Sequence, residues 1–305
     1  MKWFLYRTFF GLALAFVAAG AQAKLTIVTT TEDIASLVRA VGGAHVEVTS
    51  LTRGTQDAHF VEAKPSMIRQ LARAELFMVV GADLEIGWLR PLLETARNAR
   101  VQPGTPGYLD LSTAVVLLDR PAGPVSRAQG DVHAAGNPHY WLDPRNGVRL
   151  ARVIAARLGE LESGHAEVFR ANLAVFERRL DERMTQWRTQ LAPLKGKPVI
   201  AYHKSFVYLA HAFGFQIVGE VEPKPGIPSN AAHLQQLIQQ IGTQKIGLLI
   251  MEPYYERRSA DYLRDRTGIR IAILPNSTGG VSGADDYISL FDVIVRALAN
   301  GGASS

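Results

Sequence analysis

Three histidines in this 305-residue chain stand where ligand chemistry is usually done. His59 follows the β-branched stretch 46–51, inside Gly54-Thr-Gln-Asp-Ala-His59-Phe. His139 sits in Asn137-Pro-His139-Tyr-Trp-Leu-Asp-Pro144, and His203 comes directly after the apolar run 198–202. Each is at a strand end or in a loop, and none lies on an amphipathic helical face. Neutral imidazole is the commonest metal ligand. The chain has no cysteine, so a metal site here must be made of imidazole and carboxylate. The same absence excludes a disulfide scaffold, a Cys-ligated zinc finger, an iron–sulfur protein, a thiol enzyme and lipid attachment through an N-terminal cysteine. Taken singly, a histidine in such a position is more often a surface or hydrogen-bonding residue, and spacing alone does not show that three converge. The other five are blander. His45 reads as a turn residue, His165 begins a long helix, and His211 and His233 fall within helices. His133 lies in a loop over 120–138 dominated by Pro, Gly, Ala, Ser and Asn and reads as a solvated residue, or one able to capture metal transiently.

The surrounding pattern predicts strands at 25–30, 46–51 and 76–80, alternating with helices at 34–41 and 65–74. Such alternation indicates a parallel sheet with helices on both faces. Between Gly164 and Pro193 the apolar residues Phe169, Leu173, Phe176, Leu180, Met184, Trp187 and Leu191 recur at intervals of three and four, one stripe of a long helix. About 28 residues at 1.5 Å rise would span about 42 Å, more than one small domain needs. A strut between two domains is the expectation, and a stiff strut disfavours large hinge closure. A second block follows, with strands at 198–202, 215–220, 246–251 and 269–274 and helices at 205–212, 231–241, up to Thr267, and at 286–298. The expected fold is therefore α/β: two lobes, each a mostly parallel sheet flanked by helices, joined by one long rigid backbone helix. The segments read as 1–23 leader, 24–160 N-terminal lobe, 161–194 linking helix and 195–305 C-terminal lobe. No sequence repeat relates the two blocks.

Residues 1–23 read as a secretory signal, with Lys2 and Arg7 ahead of an apolar run over 9–19 and Ala21-Gln-Ala23 as the cleavage site. The run is shorter than the roughly 20 residues that span a bilayer, so no membrane insertion is expected after cleavage near Ala23. The formal charge would fall from +5 to +3 with the loss of Lys2 and Arg7. Lys and Arg are scattered, without a basic stripe, so nucleic acid is not an expected partner. Export without a lipid anchor points to the periplasm, because a free protein would diffuse away from a cell with a single membrane.

The run Asp57-Ala-His59-Phe-Val-Glu62-Ala-Lys-Pro65-Ser66 resembles the Asp-Pro-His-x-x-Glu-Pro-x-Pro-Ser motif of the cluster A-I metal-binding proteins, the ZnuA/TroA-like family of bacterial ABC importers. Pro138-His139-Tyr-Trp-Leu-Asp143-Pro144 is similar to their Pro-His-x-Trp-Leu-Asp-Pro motif. Tyr202-His203-Lys-Ser-Phe206-Val-Tyr208, continuing to Phe213-Gly214, resembles their His-x-x-Phe-x-Tyr motif. All three occur in the family's order, and the similarity covers essentially the whole mature chain. The resemblance implies two α/β lobes joined by a backbone helix, with a metal ion held between them. It also implies a monomeric receptor, not an enzyme, that delivers to a membrane permease worked by a cytoplasmic ATPase. The chain itself has no phosphate-binding Gly-x-x-x-x-Gly-Lys-Ser/Thr loop. Ala58 and Ala63 stand where the family usually has proline, which should alter loop geometry more than ligation.

Carried over by motif, the ligands are His59 and His139 from the first lobe and His203 from the second. The fourth does not carry over: the family often places an Asp after the last strand, but here that strand runs into Leu274-Pro-Asn-Ser-Thr with no acid before Asp285. Glu252, at the end of the strand 246–251, is the nearest acid that topology could bring to the cleft and the candidate fourth ligand, or else a buried glutamate capping the next helix; water, Asn276 or Ser277 could complete the shell instead. Asp57 and Asp143 are candidates to orient an imidazole N–H, or else helix caps. Three imidazoles and at most one oxygen favour Zn²⁺. Manganese members usually have Glu in place of the third His, since Mn²⁺ prefers oxygen. The 120–138 loop holds only His133, so multi-zinc buffering is not expected. Competing readings are a manganese or iron receptor on the same fold, and a zinc hydrolase with Glu252 as base; the latter lacks His-Glu-x-x-His.

Overall fold

The computed structural model describes residues 24–302 apart from 124, 126–129 and 131. The expected leader over 1–23 lies outside them. In the first half, β1 (Leu25–Thr29), β2 (Val46–Ser50), β3 (Leu76–Val79) and β4 (Tyr108–Asp110) form one parallel sheet in the order β2-β1-β3-β4. In the second, β5 (Pro198–Ala201), β6 (Gln216–Glu220), β7 (Leu248–Met251) and β8 (Arg270–Ile273) form another in the order β6-β5-β7-β8. The two sheets have one topology although no sequence repeat announces it. Each reverses direction beside its first strand, which leaves a crevice at the strands' carboxyl ends, where ligands bind in open α/β sheets. All four residues of β3 and all four of β7 are buried, as parallel strands covered on both faces must be.

The helices are α1 (Glu32–Gly42), α2 (Pro65–Arg73), α3 (Leu89–Ala96), α4 (Pro144–Leu161), α5 (Ala166–Gln190), α6 (Val207–Phe213), α7 (Ala231–Gln244), α8 (Arg258–Thr267) and α9 (Tyr287–Gly302). No described helix is long and apolar enough to cross a membrane. The long helix expected from the apolar stripe is α5, with 25 residues, or about 37 Å at the usual rise. It is shorter than the 164–193 stretch because three-residue 3₁₀ turns at Ser163–His165 and Ala192–Leu194 close its two ends. It buries Phe169, Phe176, Leu180, Met184 and Trp187. It packs on α1 and α4 at one end and on α9 at the other, where Trp187 Nε1 donates to Asp292 at 2.8 Å.

The helix α4 escaped the sequence reading, as did α3 and β4. Pro144 opens α4 at its first position, and the Asp143 carboxylate caps it by accepting from the Arg145 N–H at 2.9 Å. With α1, α5 and α9 it forms a layer shared by both sheets. One continuous apolar core therefore runs from Ile27 and Met78 through Ile154, Phe176 and Phe291 to Val199 and Ile250. Smaller clusters cover the outer face of each sheet. The halves are joined by more than α5. Asp33 of α1, 1% exposed, accepts from Ser277, from the Thr278 N–H at 2.8 Å and from its hydroxyl at 3.1 Å. Burial pushes this carboxyl up to about 6 against those hydrogen bonds. Gly54 lies so close to the Thr278 carbonyl that any Cβ would sit 2.0 Å from it.

Candidate metal centre

The loop leaving β2 carries His59. Asp57 Oδ1 accepts both the His59 backbone N–H, at 2.9 Å, and Nδ1, at 2.7 Å. Trp88, just before α3, holds this loop by donating Nε1 to the Ala58 carbonyl at 2.9 Å. His139 precedes α4 and is held in the same manner: Asn137 Oδ1 accepts its backbone N–H and its Nδ1, both at 3.0 Å. Asn137 also donates Nδ2 to the carbonyl of Lys204 at 2.8 Å, the residue after His203, and so ties the two halves together at the site. His203 ends β5, and its Nδ1 is 2.7 Å from Glu222 Oε2. Glu222 follows β6, the neighbouring strand, and the same oxygen accepts from Gly226 N–H at 2.8 Å.

Oxygen acceptors at all three Nδ1 atoms assign the proton there and leave each Nε2 lone pair free. One ligand atom from each of the three rings lies within 4.8 Å of the others. The ring centroids are 5.1 Å apart for His59 and His139, 5.5 Å for His59 and His203, and 5.7 Å for His139 and His203. His59 Nε2 is buried and has no hydrogen-bond partner. Burial, followed by the neighbouring imidazoles, holds His139 well below the usual histidine range, so it stays neutral. Burial works against the Asp57 charge, but its hydrogen bonds to His59 prevail and hold it below the usual carboxylate range. Three converging imidazoles, each oriented by an outer oxygen, form a ready donor set for a divalent ion.

The other expected residues divide. Glu252, fully buried at the end of β7, is not part of the three-imidazole cluster. Neither of its oxygens makes a well-formed hydrogen bond. Burial pushes its carboxyl up to about 8, tempered by the Ser205 hydroxyl and reinforced by the charges of Asp57 and Glu222. Asn276 donates Nδ2 to the Tyr254 hydroxyl at 2.8 Å, and its buried Oδ1 has no partner. The Ser277 hydroxyl is engaged by Asp33. Asp57 orients an imidazole, whereas Asp143 is a helix cap paired with Arg145. His133 is not solvated as its loop composition suggested: its ring stacks on His59 at 5.3 Å. The rings of His45 and His165 lie 3.9 Å apart, tilted by 31°. His233 lies against the Glu220 carbonyl, and His211 against Arg145. The sequence reading missed Asn137 and Glu222. Asn137 had a signal, two residues before a candidate ligand in Asn-Pro-His. Glu222 had a weaker one, an acid at the carboxyl end of the strand beside His203.

Two like α/β units around one core, with imidazoles from both meeting at their carboxyl edges, define a solute-binding protein whose site is built for a metal ion. The family model described as zinc-uptake complex component A, periplasmic (ZnuA) matches residues 27–301, and the chain belongs to that family. The family is one of solute-binding proteins, not enzymes. The high-affinity zinc uptake system protein ZnuA of Brucella abortus is 30% identical over 162 residues, which span 53% of this chain and 48%, about half, of that one. The protein of the same name from Yersinia pestis is 25% identical over 284 residues, 88% of each chain. Among solved structures, a ZnuA crystal structure superposes with a TM-score of 0.77 at 24% identity, covering 92% of this chain and all of that one. The periplasmic zinc-binding protein TroA of Treponema pallidum gives 0.75 at 18% identity, with the same coverage. At these identities the structures speak for the fold.

Proposed function

We propose that this protein is the periplasmic receptor of a zinc ABC importer. It takes up one Zn²⁺ through His59, His139 and His203 and presents it to a membrane permease driven by a cytoplasmic ATPase. In this reading the chain acts as a monomer, freed of its leader near Ala23. Residues 24–160 and 195–305 form the two lobes and 161–194 the link. The observation that carries the proposal is the convergence of three Nδ1-locked imidazoles, two from the first half and one from the second. Nitrogen donors support zinc over manganese, which prefers oxygen. Glu252 takes a supporting place. Burial pushes its carboxyl up to about 8 in the metal-free protein, and it lies outside the three-imidazole cluster. The names of the Brucella and Yersinia relatives agree with zinc as cargo.

The test is metal analysis of protein purified without chelator, followed by zinc titration of the apo form against a chromogenic competitor. One equivalent of zinc is expected, with at least tenfold weaker binding in His203→Ala. Manganese in the purified protein would move the assignment to the manganese receptor. An unaltered affinity in His203→Ala would remove that residue from the site.

A further inference from the structure

We propose that His133 is the fourth ligand, so that the ion is held by four imidazole nitrogens; this deepens the receptor reading and rests on it. The ring is held beside the site, outside the three ligand atoms that lie within 4.8 Å of one another but packed on one of their rings, His59. Each of those three rings has Nδ1 tied to an oxygen and Nε2 free. His133 hydrogen-bonds the Asp83 carbonyl, while its Nε2 is buried and unpartnered; Nδ1 is therefore the donor. Its centroid lies 5.3 Å from that of His59, within the range the three other rings keep among themselves. It also lines the same cleft of about 430 Å³ as His139 and His203.

The surroundings hold the ring there from both sides. The carbonyl that receives it belongs to the last of three successive residues with positive φ: Gly81 at 73°, Ala82 at 49° and Asp83 at 67°. Two of these are not glycine, and such conformations persist where the surroundings impose them. On the second half, Gly130 passes so close to the Pro225 carbonyl that a Cβ would stand 2.1 Å away. The loop ends are pinned at Tyr208, whose hydroxyl accepts from the Leu118 N–H at 2.9 Å and donates to the Asn137 carbonyl at 2.7 Å. Lys204 pairs with Asp119 at 3.2 Å.

The alternatives for the fourth position are weaker. The Ser277 hydroxyl is committed to Asp33; Glu252 and His133 both stand outside the three-ring cluster, and of the two His133 packs on one of its members; Asn276 offers only a neutral amide oxygen. Tetrahedral zinc–nitrogen bonds of about 2.0–2.1 Å set nitrogens about 3.3 Å apart. The three clustered imidazoles must therefore close in on the ion, and His133 closes with them. A site of four neutral nitrogens selects zinc against oxygen-preferring cations more sharply than one containing a carboxylate.

The experiment is zinc K-edge X-ray absorption on the zinc-loaded full chain, which counts imidazoles by their multiple scattering, together with competition titration. Four imidazoles are expected in the wild type and three in His133→Ala, with zinc bound at least tenfold more weakly. The thermal melt of the apo variant should be unchanged, because the substitution lies in a loop. Three imidazoles in the wild type, or four retained in the variant, overturn the proposal and leave the other three ligands standing. Failure of the wild type to bind one zinc would instead sink the receptor reading, and this inference with it.

Discussion

Glu222 never touches the ion in the site described here, yet it should set much of the affinity. Its Oε2 accepts from both His203 Nδ1, at 2.7 Å, and the Gly226 N–H, at 2.8 Å. Because one oxygen serves both donors, Glu222→Gln can keep both hydrogen bonds with its amide oxygen and lose only the charge. An ion on Nε2 of His203 would stand about 6–7 Å from that carboxylate, counting a Zn–N bond of about 2 Å. Coulomb's law for a divalent ion at this distance, with an effective dielectric of about 20, gives about 5 kcal/mol as a ceiling. Substitutions of such outer partners typically cost 10–100-fold in metal affinity, or about 1.4–2.8 kcal/mol. We therefore expect Glu222→Gln to weaken zinc binding 10–100-fold at pH 7.5. Glu222→Ala, which also frees the ring and strands the Gly226 N–H, should weaken it further. The assay is competition against a fluorescent chelator at fixed salt, with the apo melting temperature recorded for each variant. A Glu222→Gln protein with wild-type affinity and an intact fold would show that His203 does not present Nε2 to the ion, and the geometry proposed for the site would be wrong.

Asp33→Ala should cost about 1–3 kcal/mol in urea unfolding, because it leaves the buried Thr278 N–H without its acceptor; Asp33→Asn should recover part of this, and an unchanged midpoint would mean that the contact between the halves contributes nothing. Two buried carboxyls should favour the folded apo protein near pH 5 over pH 8, against the opposite contribution of His133 and His139, which burial keeps neutral. Burial raises Glu85 to about 7 and Asp33 to about 6, so the folded state binds protons that the unfolded state has already released. That contribution is complete below the unfolded values near 4 and is lost as pH rises through 6 to 7, on the order of 3 kcal/mol for Glu85. Denaturant midpoints of wild type and Glu85→Gln at pH 5, 7 and 8 test it: the variant should gain on the wild type as pH rises, and a constant difference refutes it.

Much of the fold was legible because two periodicities are clean. β-Branched and apolar runs four to six residues long mark seven of the eight strands, and the Phe169-to-Leu191 stripe marks α5. What escaped has identifiable causes. β4 has only three residues, of which Leu109 alone is fully buried, too few to show alternation. α4 begins at a proline and carries four arginines and two glycines, which thin its apolar face although Leu150, Ile154 and Leu158 are buried. The motif histidines were visible one by one. Their tautomer locks were not, because Glu222 is 19 residues from His203 and only the pairing of β5 with β6 brings them together. His133 was misread for a related reason: loop composition predicts solvent, and the contact with His59 depends on a fold that carries residue 133 back over residue 59.

The shared core decides where a metal ion can act on this molecule. Apolar contacts run without a break from the first sheet through α4, α5 and α9 to the second, and packed interiors resist deformation. The Asp33 and Trp187 hydrogen bonds hold the same layer from either end. The approach of the three ligand atoms, which lie within 4.8 Å of one another, to bonding distance of one ion must therefore come from the loops that carry the rings, with the two halves as near-fixed bodies. Asn137 stands at the point where those loops meet, since it orients His139 with its oxygen and grips the Lys204 carbonyl with its nitrogen. Movement of His139 toward the ion pulls on the loop of His203 through a single side chain. The receptor proposed above would then signal occupancy through the loops at the cleft mouth, not through a swing of one half against the other.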